Sequence, residues 1–145
     1  MMIEDLIITP LKIIDVPGGD VLHAMKKDDL GFSGFGEAYF STIESGVIKA
    51  WKRHQKMTLN LIVITGRIKF IIFDDRDGVN KNFQEVVLSR DNYCRLTVPP
   101  MLWMGFQGLA RETSTLLNIA SIPHSSEETV KRDVNEILFD WNLQL

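Results

Sequence analysis

The segment Gly46-Val47-Ile48-Lys49-Ala50-Trp51-Lys52-Arg53-His54-Gln55 holds the side chains best suited to chemistry. Read as a strand, it puts Ile48, Ala50, Lys52 and His54 on one face and Val47, Lys49, Trp51 and Arg53 on the other. The small apolar residues leading up to Lys52 suit a barrel interior, so a lysine and a histidine would stand together at its inner mouth. Desolvation and a neighbouring ammonium both favour a neutral imidazole, which accepts protons near pH 7. That is the equipment of a general base. The same spacing also describes an exposed strand end with a solvated Lys-Arg-His cluster, and spacing alone does not choose between them.

Strands must position these groups. Short apolar runs punctuated by single glycines predict strands at Glu37–Ile43, Val47–His54, Leu59–Ile64, Ile68–Asp74, Phe83–Leu88, Cys94–Val98 and Thr115–Ala120. Turn signals such as Thr65-Gly66, Asp74-Asp75-Arg76-Asp77-Gly78 and Pro99-Pro100 separate them. Such spacing favours an antiparallel sandwich or barrel over alternating strands and helices. Two runs, Leu59–Ile64 and Phe70–Phe73, are apolar on both alternating faces, so a second sheet or a second subunit must cover their outer side. Only Ser125–Leu138 reads as a helix, short and peripheral, with a serine cap, Glu127 and Glu128 in the first turn, and Val130, Val134 and Ile137 along one face.

Composition narrows the classes. A chain of 145 residues, 45% hydrophobic and 24% charged, suits one folded domain. The net charge of −3 and the lack of a basic run exclude a nucleic-acid footprint, so a phosphate ligand would need locally gathered cations. No apolar run approaches the ~20 residues of a membrane helix. The N-terminus lacks the pattern of an export signal, and a cytoplasmic location is expected. The one cysteine, Cys94, alternates with Leu96 and Val98 in an apolar pattern and reads as a buried structural thiol.

Four segments in order, GVIKAWKRHQ, TGRIKFIIFDDR, LTVPPMLWMGF and LLNIASIP, resemble the sugar-nucleotide cupins related to dTDP-4-dehydrorhamnose 3,5-epimerase. The resemblance spans residues 35–125. Gly66 and Asp74 keep the family spacing, Arg76 follows, and Pro100, Gly105 and Phe106 match its third segment. The epimerase histidine falls on Lys52, its later histidine on Met104, and its tyrosine region reads Ile122-Pro123-His124. The related sugar 3,4-ketoisomerases resemble Arg-Gly-x-His-x-His at the first segment. There His54 matches the second histidine, Lys52 replaces the first, and Lys49 replaces the arginine. Tyr39 fits their preceding-strand tyrosine, and Pro99-Pro100-Met101-Leu102-Trp103 nearly repeats their Pro-Pro-Met-Ile-Trp run.

The resemblance implies an all-β, cupin-type jelly-roll barrel that epimerises or isomerises a nucleotide-linked 4-keto-6-deoxy hexose for cell-surface polysaccharide. In that reading His54 is the base, Lys52 stabilises the enolate oxygen, and Tyr39 is the candidate proton donor. Lys49, Arg53 and Arg76 are candidates for the diphosphate, although Lys49 and Arg53 face opposite to His54, so contact would require a bulge or the neighbouring subunit's ligand. Trp103 and Asn118 complete the substrate-binding candidates. Arg76 equally suits a hairpin-turn salt bridge, and a large aromatic such as Trp103 is more often core or dimer interface. Metal-binding cupins resemble Gly-x-His-x-His followed by Glu, with a further His downstream, and of the three histidines here only His54 is well placed. His23 and His124 fall outside the strands, so no metal and no cofactor are expected. Glu85 is a conceivable carboxylate partner, although an exposed strand carboxylate is commoner. A nucleotide sugar and a second copy of the chain are the expected partners, with neither nucleic acid nor membrane. A binding module that has lost its acid/base pair is the alternative.

Overall fold

The computed structural model describes residues 2–78 and 80–142. Among the described residues twelve strands run in chain order. They are β1 (Ile7–Pro10), β2 (Ile13–Ile14), β3 (Val21–Leu22), β4 (Glu37–Ile43), β5 (Ile48–His54) and β6 (Leu59–Thr65), followed by a second set. The second set is β7 (Arg67–Asp74), β8 (Asn82–Ser89), β9 (Cys94–Val98), β10 (Trp103–Gly108), β11 (Ser114–Ala120) and β12 (Thr129–Lys131). Two five-stranded sheets form, ordered β1-β9-β6-β11-β4 and β12-β5-β10-β7-β8, with β2 and β3 as a separate ribbon. The architecture is a jelly roll of two sheets rather than a closed barrel. No helix of the described residues is long and apolar enough to cross a membrane.

Alternation along the strands builds the core. Leu59, Leu61 and Val63 of β6 meet Phe70 and Ile72 of β7, Leu96 of β9 and Leu116 of β11 between the sheets. Burying such side chains contributes ~1.5–3 kcal/mol each, which fixes strand register because a one-residue slip would turn them all outward. The opposite faces are covered too, by this chain's own segments. On the first sheet, buried Arg95 donates to the carbonyls of Ala24 and Leu30, and Asn60 donates to that of Gly31. On the second, Ile71, Trp51 and Trp103 pack against Ile137 and Trp141.

The expected C-terminal helix is absent. Ser125–Leu138 instead makes turns around β12, which adds to the edge of β5 with Thr129 opposite His54 and Lys131 opposite Lys52. Three forces outweigh helix propensity here. The open edge of β5 offers hydrogen bonds to the β-branched pair Thr129-Val130, Glu128 accepts from the amides of Lys56 and Met57, and Val130 and Ile137 find apolar neighbours one at a time. Nor is the segment wholly peripheral, since Glu128 and Ile137 are only 8% and 7% exposed.

β10 was not evident in the sequence because Gly105 and Gly108 break its pattern. Its pairing with β5 carries an irregularity, for Met104 lies opposite Lys52 and Phe106 opposite Lys49. Two steps on β10 thus oppose three on β5, the signature of a bulge. Gly105 lets the strands approach there, because a Cβ at that position would lie 2.6 Å from the Ala50 Cβ and 3.0 Å from the Trp141 ring.

Candidate active site

A cavity of about 720 Å³ opens between the sheets, within the range of small-molecule sites. Its floor is apolar, with Leu59, Leu61, Phe70 and Leu116, while Tyr39, Lys49, Lys52, His54, Asn118, Lys131 and Arg132 supply polar groups. The bulge in β5 reverses side-chain alternation between Lys49 and Lys52. Lys49, placed by strict alternation on the face opposite His54, therefore lines the same cavity.

His54 is buried at the end of β5, and its Nδ1 lies 3.4 Å from Glu128 Oε1 and 3.5 Å from Thr129 Oγ1. Engaging Nδ1 leaves Nε2 for the cavity. Glu128 is fixed from behind, accepting the amide N–H of Lys56 at 3.0 Å and of Met57 at 2.9 Å. Burial raises the proton affinity of its carboxyl, but those N–H groups and His54 prevail and hold it below the usual glutamate value. For His54 burial is the leading influence and lowers the imidazole below its usual value; Glu128 opposes it and Lys52 adds to it. The result is a neutral imidazole with a carboxylate behind it, ready to stabilise the imidazolium that proton transfer creates.

The ammonium of Lys52 is pushed below the usual lysine value by burial first, then by Lys131 and Lys49. Three cations thus converge on the mouth, two of them directly opposite across β5 and β12. Like charges so placed are destabilising in a free sheet, whereas an anion between them turns the cost into attraction. Tyr39, half-exposed on β4, accepts a 3.0 Å hydrogen bond from Asn118 Nδ2 on β11, directly opposite in register.

Of the residues proposed from sequence, His54, Lys52, Tyr39, Lys49 and Asn118 therefore meet in one cavity. Arg53, Arg76 and Trp103 do not line it. Trp103 is fully buried, its Nε1 donates to Asp75 at 3.2 Å, and the guanidinium groups of Arg53 and Arg132 lie 4.7 and 5.0 Å from its ring centre. Arg76 makes the turn salt bridge, forking onto Asp74 and Asp5 at 2.8–2.9 Å. Glu85 stands beside Lys69, at 3.9 Å, rather than beside His54. Sequence reasoning missed Glu128, Lys131 and Arg132, all in the segment read as a helix. The β-branched pair Thr129-Val130 was the available signal for a strand. Among the described residues no three His, Cys, Asp or Glu side chains gather as a metal-binding group.

A solved dTDP sugar isomerase from Desulfovibrio desulfuricans is 35% identical to this chain, covers 96% of it and 92% of itself, and superposes with a TM-score of 0.91. The chain belongs to the dTDP-sugar isomerase family. No family model matches it. Among curated proteins, a probable low-salt glycan biosynthesis epimerase of Haloferax volcanii is 29% identical over 115 residues, 74% of each chain. The sugar 3,4-ketoisomerase QdtA of Thermoanaerobacterium thermosaccharolyticum, solved with TDP, shares the fold at 19% identity, a TM-score of 0.74 and 93% coverage of both chains. The sequence-based expectation of a sugar-nucleotide isomerase is met, as is the cupin-type jelly roll of this family.

Proposed function

We propose that the protein removes a proton from the carbon beside the keto group of a dTDP-linked 4-keto-6-deoxy hexose, as an epimerase or ketoisomerase in cell-surface polysaccharide synthesis. The observation that carries this reading is the His54–Glu128 pair facing a cavity ringed by Lys49, Lys52 and Lys131. His54 Nε2 takes the proton and the bonding pair moves into an enolate, whose oxygen the Lys52 ammonium stabilises. The imidazolium is balanced by Glu128. In epimerisation the Tyr39 hydroxyl returns a proton to the opposite face of the same carbon; in ketoisomerisation the C3 hydroxyl proton passes to the enolate oxygen on C4 as the imidazolium delivers its own proton to C4, leaving the keto group on C3. Lys49, Lys131 and Arg132 suit the diphosphate, with Arg132 held against Trp103.

Action as a cytoplasmic homodimer belongs to the same reading. Support for the dimer comes from β4, an outer strand of its sheet, and from Phe35 and Phe40, each 66% exposed, and Leu30, 71% exposed, nearby in sequence. The binding-module alternative draws on Met104 and on the lack of a tyrosine at residues 122–124.

Exchange of substrate hydrogen with deuterated water separates the two readings. Wild-type protein should label the carbon beside the keto group, and the carbon labelled distinguishes the two reactions. His54→Asn should bind dTDP yet lose exchange by ~100- to 10,000-fold. Tight binding of the keto sugar nucleotide without exchange by wild type would establish the binding module instead.

A further inference from the structure

The two halves of the Asn118 side chain are unequally used. It is 3% exposed and stands on β11 between Tyr39 of β4 and Leu61 of β6, at the wall of the cavity. Its amide nitrogen donates to Tyr39 Oη at 3.0 Å. Its carbonyl oxygen, Oδ1, is buried and has no partner among the described residues. A buried acceptor without a donor is destabilising, and leucine would fill the same volume beside Leu59, Leu61 and Leu116 without that cost. The side chain therefore points to a donor that the described residues do not supply, and the cavity it lines is where such a donor can enter.

We propose that Asn118 is the specificity-determining residue of this cavity, its Oδ1 accepting a hydrogen bond from the C2 hydroxyl of the hexose. The assignment rests on the isomerase reading above. In a 4-keto-6-deoxy hexose C1 carries the nucleotide, C4 is the carbonyl and C6 is a methyl group, so only C2 and C3 bear free hydroxyls. Epimerisation can invert C3, and 3,4-ketoisomerisation oxidises it. The C2 hydroxyl is unchanged by either reaction, so a contact with it can persist from substrate to product. The other half of Asn118 serves the chemistry. Because its N–H occupies one lone pair of the Tyr39 oxygen, the phenolic proton is left free to point at the sugar.

Specificity follows from the same unpaired oxygen. A sugar lacking the C2 hydroxyl would fill the cavity, exclude water and leave Oδ1 dry and unpartnered, which a site built for a hydroxyl penalises heavily. The test follows deuterium incorporation from solvent into dTDP-4-keto-6-deoxyglucose and into its 2-deoxy counterpart, using the intact protein. Wild type should favour the first by roughly 10- to 100-fold in kcat/KM, the effect of one buried acceptor left unpaired. Asn118→Leu should reduce that ratio towards one and melt no lower than wild type, whereas Tyr39→Phe should slow exchange yet keep the ratio. Equal rates for both sugars in wild type, or undiminished discrimination in Asn118→Leu, would overturn the assignment and leave the isomerase reading standing. Exchange from neither sugar would overturn both.

Discussion

Replacing Glu128 with glutamine tests whether the carboxylate behind His54 works in turnover or only holds a loop. The geometry constrains how the amide can sit. Oε1 faces both the Met57 amide and His54 Nδ1, while the Lys56 amide reaches both oxygens. The new carbonyl oxygen must therefore take the Oε1 place, which turns the NH2 towards the Lys56 N–H. The loop keeps most of its hydrogen bonds, but His54 loses its countercharge. At 3.4 Å and an effective dielectric of 20, a full pair of charges is worth about 5 kcal/mol. With about half of the imidazolium charge developed in the transition state, some 2.4 kcal/mol is lost, an approximately 50-fold fall in kcat/KM. Because Glu128 raises the proton affinity of His54, its removal should also move the acid limb of the pH profile to lower pH. Deuterium incorporation measured from pH 5 to 8 reads both effects. A plateau within about threefold of wild type, or an unmoved acid limb, would refute the role given to this pair.

Stability should fall in acid through the same two groups. The depressed His54 value means that the unfolded chain binds the proton more readily, so Tm should begin to drop as pH falls below the usual 6.5. Glu128, also depressed, adds stability that is present above its usual 4.5 and lost below it, and scanning calorimetry across this range should show both losses on the acid side. Arg76→Ala should lower stability by about 1 kcal/mol through its partly exposed ion pairs while leaving dTDP affinity unchanged in calorimetric titration. A large loss of affinity would return Arg76 to the substrate site. Lys131→Ala should weaken dTDP binding roughly tenfold or more, as expected for a lost charge-assisted hydrogen bond. It should not lower Tm of the free protein, because it relieves the repulsion with Lys52, and a marked fall in Tm without loss of affinity would count against a phosphate site.

Strands with one clear period were legible from sequence, and Glu37–Ile43 and Cys94–Val98 appear with the expected bounds. Those with glycines or only two or three residues were not, since β10 and β12 owe their form to partners rather than to local preference. The site divided along similar lines. Lys52 and His54 are two residues apart on one strand, so alternation alone places them together. Lys49 needed knowledge of a bulge that arises from strand pairing, because nothing within β5 marks the extra residue. Glu128 lies 72 residues beyond the Lys56 amide it binds, and no local pattern carries a contact across that distance. Arg76 and Trp103 show the converse, where family spacing located the residues but their neighbours assigned them to a salt bridge and to the core.

The strand that completes the site follows the other eleven described strands in chain order. When β5 leaves the ribosome, His54 has no carboxylate behind it, the Lys131 and Arg132 side of the mouth is missing, and Trp51 lacks the cover of Ile137 and Trp141. At about 5–20 residues per second, the 72 residues separating Lys56 from Glu128 take roughly 4–14 s to synthesise. From the pairing of β10 with β5 until the arrival of β12, the nascent chain presents an apolar sheet face and an open strand edge, which makes it a natural client for chaperones. Competence therefore arrives late and abruptly, with the docking of β12, so a prematurely terminated chain would hold most of the fold and none of the paired base.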